Sequence, residues 1–408
     1  MDIKPLNIGI IGLGTVGMGL VKCLTNNKKI IKSKSEREIS IAAICAKNKN
    51  KKRDIDIGNL KWVQDPFDIT DDKEIDLVVE LIGGDENPSK SIVEKSLLNK
   101  KHVVTANKAL IAKHGHYLAL LAEDQQVCLN FEAAVAGAIP IIKAIKESLS
   151  GNVISKVYGV INGTCNYILT QMEKEEKEYT SIFKKAQQLG YVEKDPQLDV
   201  GGIDSAHKIS ILTTCAFGTR INFENVMTNG IQNISLIDIK NAFSMGYKIK
   251  LMALALRSDD GIIQEVEPCL VPKDSIFGKL EGGTNLVMVE GDFSERTYYM
   301  GPGAGSGPTA SAVIADIIDI ANEKKTSVFG MNANLLELPV NKKKDFPSSF
   351  YLRFLLTDKP GTLAQLSSIL GKYEISINRM NQLHHIGETA PILIVTHPTT
   401  KSLLKPAI

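Results

Sequence analysis

No two cysteines in this 408-residue chain are spaced C-x-x-C; the six (Cys23, Cys45, Cys128, Cys165, Cys215 and Cys269) are scattered. That scatter argues against a zinc centre or a disulfide framework and reads as reduced, mostly buried thiols in a cytosolic protein. A dominant charge sign is lacking as well. The formal net charge is +2, so there is no bulk attraction to nucleic acid or to a membrane surface, and neither is expected as a partner. No apolar run reaches bilayer length. Met1-Asp-Ile-Lys-Pro5 enters the first apolar run at once, without the pattern of a signal peptide. A cytoplasmic location is expected. Repeats and low-complexity tracts are absent too. What remains is an ordinary globular composition, 43% hydrophobic and 23% charged, long enough for two or three domains.

Against that plain background one stretch stands out. Gly12, Leu13, Gly14, Thr15, Val16 and Gly17 form a G-x-G-x-x-G between an apolar run at 6–11 and a helical pattern at 15–24. The three glycines suit a tight strand-to-helix turn, close backbone approach to a pyrophosphate, and close packing of helix on strand. The helix start offers free N–H groups and the positive end of its dipole to phosphates. The bland alternative is a glycine turn with no ligand.

Residues 6 to about 150 alternate short Val/Ile-rich runs with helical patterns, which implies an α/β fold with a Rossmann-type doubly wound parallel sheet. Strands are expected at 7–11, 40–45, 77–81, 102–105 and 126–131, and helices at 15–24, 89–99, 111–124 and 139–148. The charged segment 26–38 reads as a helix extension or a solvated loop. We therefore expect a nucleotide-binding domain at 1–150, joined by a return of the chain at about 305–325. From 151 to 304 the rhythm is lost, and an α+β catalytic and dimerisation domain fits. Strands at 154–161 and 286–291 and helices at 180–189 and 205–217 are expected there. A linker at 326–347 precedes a small β-α-β-β module at 348–408.

Five clusters carry chemistry. The second strand runs into Ala46-Lys-Asn-Lys-Asn-Lys-Lys-Arg53, with no acid until Asp54. A carboxylate there would hold the ribose of NAD, whereas a cation accommodates a 2′-phosphate. NADP(H) is thus expected over NAD(H), with Lys47 as the phosphate contact; the alternative is a solvated basic loop. Thr105, Asn107 and Lys108 end the fourth strand, where open parallel sheets bind ligands. Glu132 precedes a small-residue reversal at Ala136-Gly137-Ala138, an oxygen-rich pattern that suits an alkali or alkaline-earth cation, or simply tight packing. Glu193, Asp195, Asp199 and Asp204 surround a Pro/Gly loop, with Lys208 four residues beyond Asp204. Singly, Asp204–Lys208 reads as a surface helix pair. Together the acids and the lysine read as a site that recognises an ammonium group and moves a proton. A second glycine run, Gly301 to Gly307, offers another backbone approach to the cofactor.

These motifs in order resemble homoserine dehydrogenases. The resemblance rests on Gly12–Gly17, Thr105-Ala-Asn-Lys108, Glu132 with Ala133-Ala-Val-Ala-Gly137, and Asn162-Gly-Thr-Cys-Asn-Tyr-Ile168. It extends through Leu189-Gly-Tyr-Val-Glu-Lys-Asp-Pro196, Gly202-Ile-Asp-Ser-Ala-His-Lys208 and Gly301-Pro-Gly-Ala-Gly305. It implies reversible, nicotinamide-dependent interconversion of L-homoserine and L-aspartate 4-semialdehyde, on the route to threonine, methionine and isoleucine. By similarity Lys208 would be the acid/base, Lys108 would touch cofactor and substrate, and Asp204 would orient the site. Glu193, with Tyr191 and Asp199, would bind substrate. Ile82, Thr105 and Gly305 would join the glycine turn around the cofactor. Glu132 with the carbonyls of Val135, Gly137 and Ile139 resembles a site for a monovalent cation, Na or K. A homodimer or homotetramer is implied.

The C-terminal part resembles an ACT (ferredoxin-like) module, through Leu356-Thr-Asp-Lys-Pro-Gly-Thr-Leu363. Such modules bind amino acids, which implies L-threonine as an effector. The sequence ends at Ile408, within the expected second helix, so a last strand is expected to be missing. The rival readings are an oxidoreductase on a related amino-acid aldehyde, separable by a substrate panel, and a non-catalytic sensor, against which Lys108 and Lys208 both argue.

Overall fold

The computed structural model describes residues 4–190, 196–258, 261–339, 346–383 and 387–408. Tyr191 and Glu193 lie outside the described residues. The chain forms two compact units, Met1–Asn341 and Lys342–Ile408.

The first unit opens with five strands, β1 (Leu6–Ile11), β2 (Ile39–Cys45), β3 (Leu77–Glu80), β4 (His102–Thr105) and β5 (Leu129–Asn130). They pair in parallel in the order β2-β1-β3-β4-β5. Both faces are covered, which explains the unbroken apolar runs. On one face Ile8, Ile10, Leu77 and Val79 meet Leu20 and Val21 of the helix Thr15–Asn26 and Val313 and Ile317 of the helix Ser306–Ala321. On the other, Ile11, Cys45 and Val78 meet Ile69 and Ile92. The helix Ser306–Ala321 packs directly on Thr15–Asn26, at a place where a Cβ on Gly19 would stand 2.5 Å from the Ser306 carbonyl oxygen.

Six further strands make a mixed sheet: β6 (Ile154–Val160), β7 (Met227–Thr228), β8 (Tyr247–Ser258), β9 (Gly261–Pro272), β10 (Thr284–Gly291) and β11 (Glu295–Pro302). Their order is β11-β10-β6-β8-β9-β7, antiparallel except for β7 with β9. One face carries the helices Gly163–Glu175 and Ile203–Phe217. The second is buried almost all round, with Ile209, Ile211 and Leu212 at 1% exposure or less. Each such side chain contributes about 2 kcal/mol. That burial lets the same helix carry charged groups into the interior.

The second unit is a three-stranded antiparallel sheet, β12 (Tyr351–Thr357), β13 (Ile377–Gln382) and β14 (Thr389–Thr396), in the order β12-β14-β13. The helix Thr362–Lys372 lays Leu366 and Leu370 against Leu352, Ile392 and Ile394.

Four local expectations change. The strand expected at 126–131 shrinks to Leu129–Asn130, because the chain leaves the sheet at Phe131 into a 3-10 turn, Glu132–Ala134. The helix expected at 139–148 starts only at Ile141, after Pro140, and widens into a π segment, Ala144–Ser148. Part of the charged segment is a helix, Lys28–Lys34. The β8–β9 hairpin was not expected, since β8 buries residues on both faces and shows no clean alternation. Among the described residues no helix is long and apolar enough to cross a membrane.

Candidate active site

The glycine turn joins β1 to the helix Thr15–Asn26. Gly12 has φ +106°, and a Cβ there would meet the Leu81 carbonyl oxygen at 2.5 Å. A Cβ on Gly17 would stand 2.0 Å from the Gly12 carbonyl oxygen. Gly14 differs: a Cβ there would have nothing within 4 Å, so its bare backbone faces open space where a pyrophosphate would lie. Leu13 is buried beneath the turn, while Thr15 is exposed and Val16 half-buried.

The next strand ends brace one another. Glu80, fully buried at the end of β3, accepts Thr105 Oγ1–H at 2.7 Å and the N–H groups of Ile82 and Gly83 at 2.8 and 3.2 Å. Thr105 in turn accepts the Asn107 N–H at 3.0 Å. Asn107 caps the helix Lys108–Asp124 through Leu110 N–H and donates to the Gly84 carbonyl at 2.6 Å. The hydroxyl of Thr105 and the amide of Asn107 are therefore committed to shaping the loop 82–84. Lys108, the first residue of that helix, reaches past them.

Asp204 and Lys208 sit one turn apart on the helix Ile203–Phe217, at 4% and 8% exposure. Lys208 Nζ donates to Asp204 Oδ2 at 2.7 Å and to the Ile161 carbonyl at 2.8 Å. Lys108 Nζ lies 3.1 Å from the other oxygen, Oδ1. Burial alone would raise the Asp204 pKa, but Lys208 and Lys108 hold its carboxyl well below the usual range. Asn162, at 3% exposure, donates to Asp204 Oδ2 at 2.9 Å and to Asp199 Oδ1 at 3.0 Å. His207 is 6% exposed, has its ring centre 4.3 Å from that of Phe223 with the planes tilted by 33°, and is kept neutral by burial, which pulls its pKa down to about 4.

Lys108, Asp199, Asp204 and His207 line a cavity of about 400 Å³ with Ile82 and Gly84, and Lys208 and Asn162 adjoin it through Asp204. It opens beyond the carboxyl ends of β3 and β4, where a doubly wound sheet binds its ligands. A buried carboxylate between two lysines, beside a dinucleotide turn, suits hydride transfer coupled to proton transfer at a small polar substrate.

Comparison with known proteins agrees with this geometry. Two family models match, "Homoserine dehydrogenase, NAD binding domain" over residues 12–132 and "Homoserine dehydrogenase" over residues 140–318. A homoserine dehydrogenase of Neisseria gonorrhoeae is 42% identical across 99% of this chain and 94% of its own length. The chain belongs to the homoserine dehydrogenase family. The crystal structure of a homoserine dehydrogenase from Thiobacillus denitrificans superposes with a TM-score of 0.94 at 39% identity, covering 100% of this chain and 95% of that one. A hyperthermophilic archaeal homoserine dehydrogenase in complex with NADPH gives 0.68 at 25% identity, covering 80% of this chain and 100% of that one.

Of the other residues singled out, Lys47 is exposed just past β2. Its loop is held by Arg53, which donates to the carbonyls of Asn48, Lys49 and Lys51 and lies 5.4 Å from the Trp62 ring centre. Gly305, φ +126°, precedes the helix Ser306–Ala321, whose Ser306 hydroxyl donates to the Thr15 carbonyl at 2.8 Å. This brings the second glycine run against the first.

Glu132, 3% exposed, accepts the N–H groups of Ile142 and Lys143 at 3.0 and 2.8 Å. Burial, and then the charge of Asp316, push its carboxyl up to about 7. Nearby, Ala136 and Gly137 turn the chain with φ of 58° and 54°, and Ala138 N–H binds the Pro302 carbonyl at 3.2 Å. A buried carboxylate beside a tight reversal of small residues fits a hard cation held by oxygen.

Sequence reasoning missed Glu80, Asn162 and His207 as parts of the site. Glu80 had a signal, an acid closing the apolar run Leu77-Val-Val. Asn162 and His207 lay inside quoted motifs, but which groups they touch depends on the packing of distant elements.

Proposed function

We propose that this homoserine dehydrogenase interconverts L-homoserine and L-aspartate 4-semialdehyde, using NADP(H) in preference to NAD(H), with Lys208 as acid/base. The reading is carried by one observation: Asp204, in the wall of the 400 Å³ cavity with Lys108, shares its carboxylate between Lys108 and Lys208. Reduced nicotinamide, when bound, supplies the hydride. In reduction Lys208 gives its proton to the carbonyl oxygen as charge grows there, and in oxidation it takes the hydroxyl proton. Lys108 steadies the same oxygen and the cofactor side of the cavity. Asp204 holds both ammonium groups. Glu193, with Tyr191 and Asp199, holds the substrate ammonium.

The cofactor residues in this reading are the turn Gly12–Gly17, Ile82, Thr105, Lys108 and Gly305, with Lys47 on the 2′-phosphate. The archaeal relative bound to NADPH supports that choice of nucleotide. Glu132 and the carbonyls of Val135, Gly137 and Ile139 hold a sodium or potassium ion. Residues 151–304 form the catalytic and dimerisation part, and the protein works as a homodimer or homotetramer. Residues 348–408 serve as an ACT-like regulatory module read by L-threonine.

The deciding experiment follows NADPH absorbance after L-aspartate 4-semialdehyde is added, with potassium or sodium present. Steady loss of absorbance is expected. A flat trace from folded protein refutes the proposal.

A further inference from the structure

We propose that Asn162 is a positioning residue that divides the charge of Asp204, so that Lys208 shares its counter-ion oxygen with an amide instead of holding it alone. The inference rests on the reading of Lys208 as acid/base.

Asn162 follows β6 and caps the helix Gly163–Glu175. Its Oδ1 accepts Cys165 N–H at 2.7 Å, which fixes the direction of the amide. Turned over, it would press its oxygen on two carboxylates and its NH2 on an N–H, so its surroundings allow one orientation. The capping bond thus aims Nδ2 at the acids. Its two hydrogens reach Asp199 Oδ1 at 3.0 Å and Asp204 Oδ2 at 2.9 Å. The latter is the atom that accepts Lys208 Nζ at 2.7 Å. Two buried carboxylates, each 6% exposed or less, are therefore tied to one uncharged donor.

Among the described residues, the charged and titratable groups around Lys208 are few. Asp204 and His207 come from its own helix, Lys108 from the helix after β4, Asp199 from the short helix Pro196–Val200, and the buried thiol of Cys165 from Gly163–Glu175. Cys165 Sγ donates to the Asp199 carbonyl at 3.3 Å, which helps to fix that acid's backbone. Lys208 spends one N–H on Asp204 and one on Ile161. Among the described residues its third has no partner.

An ammonium bound too firmly by its carboxylate gives up its proton reluctantly. A hydrogen bond from Asn162 drains negative potential from Oδ2 and weakens that hold. The benefit falls on homoserine oxidation, which must begin with neutral Lys208. Reduction begins with the charged form and needs it less.

The test measures kcat against pH in both directions for Asn162→Ser and Asn162→Asp. Both keep an oxygen that can cap the helix. Serine lacks the amide donors, and aspartate puts a third carboxylate in their place. For the serine variant the acid limb of the oxidation profile is expected to move up by about one pH unit, lowering oxidation near pH 7 by roughly tenfold. The aspartate variant should move it further, while reduction at that pH falls less than about threefold in the serine variant. Limbs that stay in place in both variants, with loss confined to melting temperature, would make Asn162 a helix cap and nothing more, and would overturn the inference. Lys208→Ala, run alongside, separates the two readings. If it keeps pH-dependent turnover, the assignment of Lys208 fails and takes this inference with it. If it is inactive and the Asn162 limbs are unmoved, only this inference fails.

Discussion

Lys108 and Asp204 meet at 3.1 Å although they are almost a hundred residues apart in the chain. One starts the helix after β4, and the other stands in the first turn of the helix laid on the mixed sheet. Both residues line the cavity. Asp204→Asn removes the charge of a carboxylate that both Lys108 and Lys208 contact. Breaking a buried ion pair from one side costs roughly 3–5 kcal/mol. The variant should lose about that much stability in a denaturant titration and at least about 10²-fold in kcat. Unchanged stability and turnover would show that the pair does not assemble the site.

Lys208→Ala should lower kcat by roughly 10²–10⁴-fold in both directions. NADPH binding, followed by fluorescence titration, should change little, because the glycine turn is formed by other residues. Near-normal turnover would leave Lys208 as a structural partner of Asp204.

Much of this site could be read before folding, and the reason is local chemistry. Gly12, Gly14 and Gly17 do their work within six residues, so their spacing alone announces the turn. Lys208 and Asp204 share a helix, and their four-residue separation already places them on one face. The same periodicity pointed to a surface pair, yet the helix is buried nearly all round. Burial depends on which elements pack over it, and residue spacing carries no record of that. Asn162 shows the limit more sharply. Its partners Asp199 and Asp204 lie 37 and 42 positions away, and only tertiary packing unites them. Thr105 stands at a strand end, which spacing shows, while the bond of its hydroxyl to Glu80, 25 positions away, is set by the pairing of β3 with β4.

Lys47 offers a test of nucleotide choice that leaves the chemistry untouched. It is exposed beyond β2, and the Arg53 braces keep its loop in shape. A charge-assisted hydrogen bond to phosphate is worth about 1.5–3 kcal/mol. Lys47→Glu should therefore cut kcat/KM for NADPH by at least about tenfold and spare that for NADH. An equal fall for both would place the 2′-phosphate elsewhere.

Glu132→Gln tests the cation. Glutamine keeps an acceptor for one of the Ile142 and Lys143 N–H groups, turns its NH2 toward the other, and gives up the charge. The wild-type protein should melt higher in potassium or sodium chloride than in a bulky tetraalkylammonium salt of equal ionic strength, by mass action on the folded state. The variant should lose that difference. A difference that persists in the variant would remove Glu132 from the cation site.

His207 makes the acid side of the stability curve predictable. Burial, opposed by Asp204 and reinforced by Lys108, lowers its pKa from 6.5 to about 4 in the folded protein. The unfolded chain therefore binds the proton more readily between those values. Stability conferred by the neutral ring is full above pH 6.5 and is lost as pH falls toward about 4, by at most about 3 kcal/mol. His207→Gln cannot take up that proton, so its unfolding free energy should fall less steeply than the wild type across this window, even if it is lower at pH 7. Denaturant titrations at pH 7, 6, 5 and 4.5 check the slope. Parallel curves for the two proteins would mean that the ring already carries its charge in the fold, and that Phe223 and the cavity wall tolerate an imidazolium.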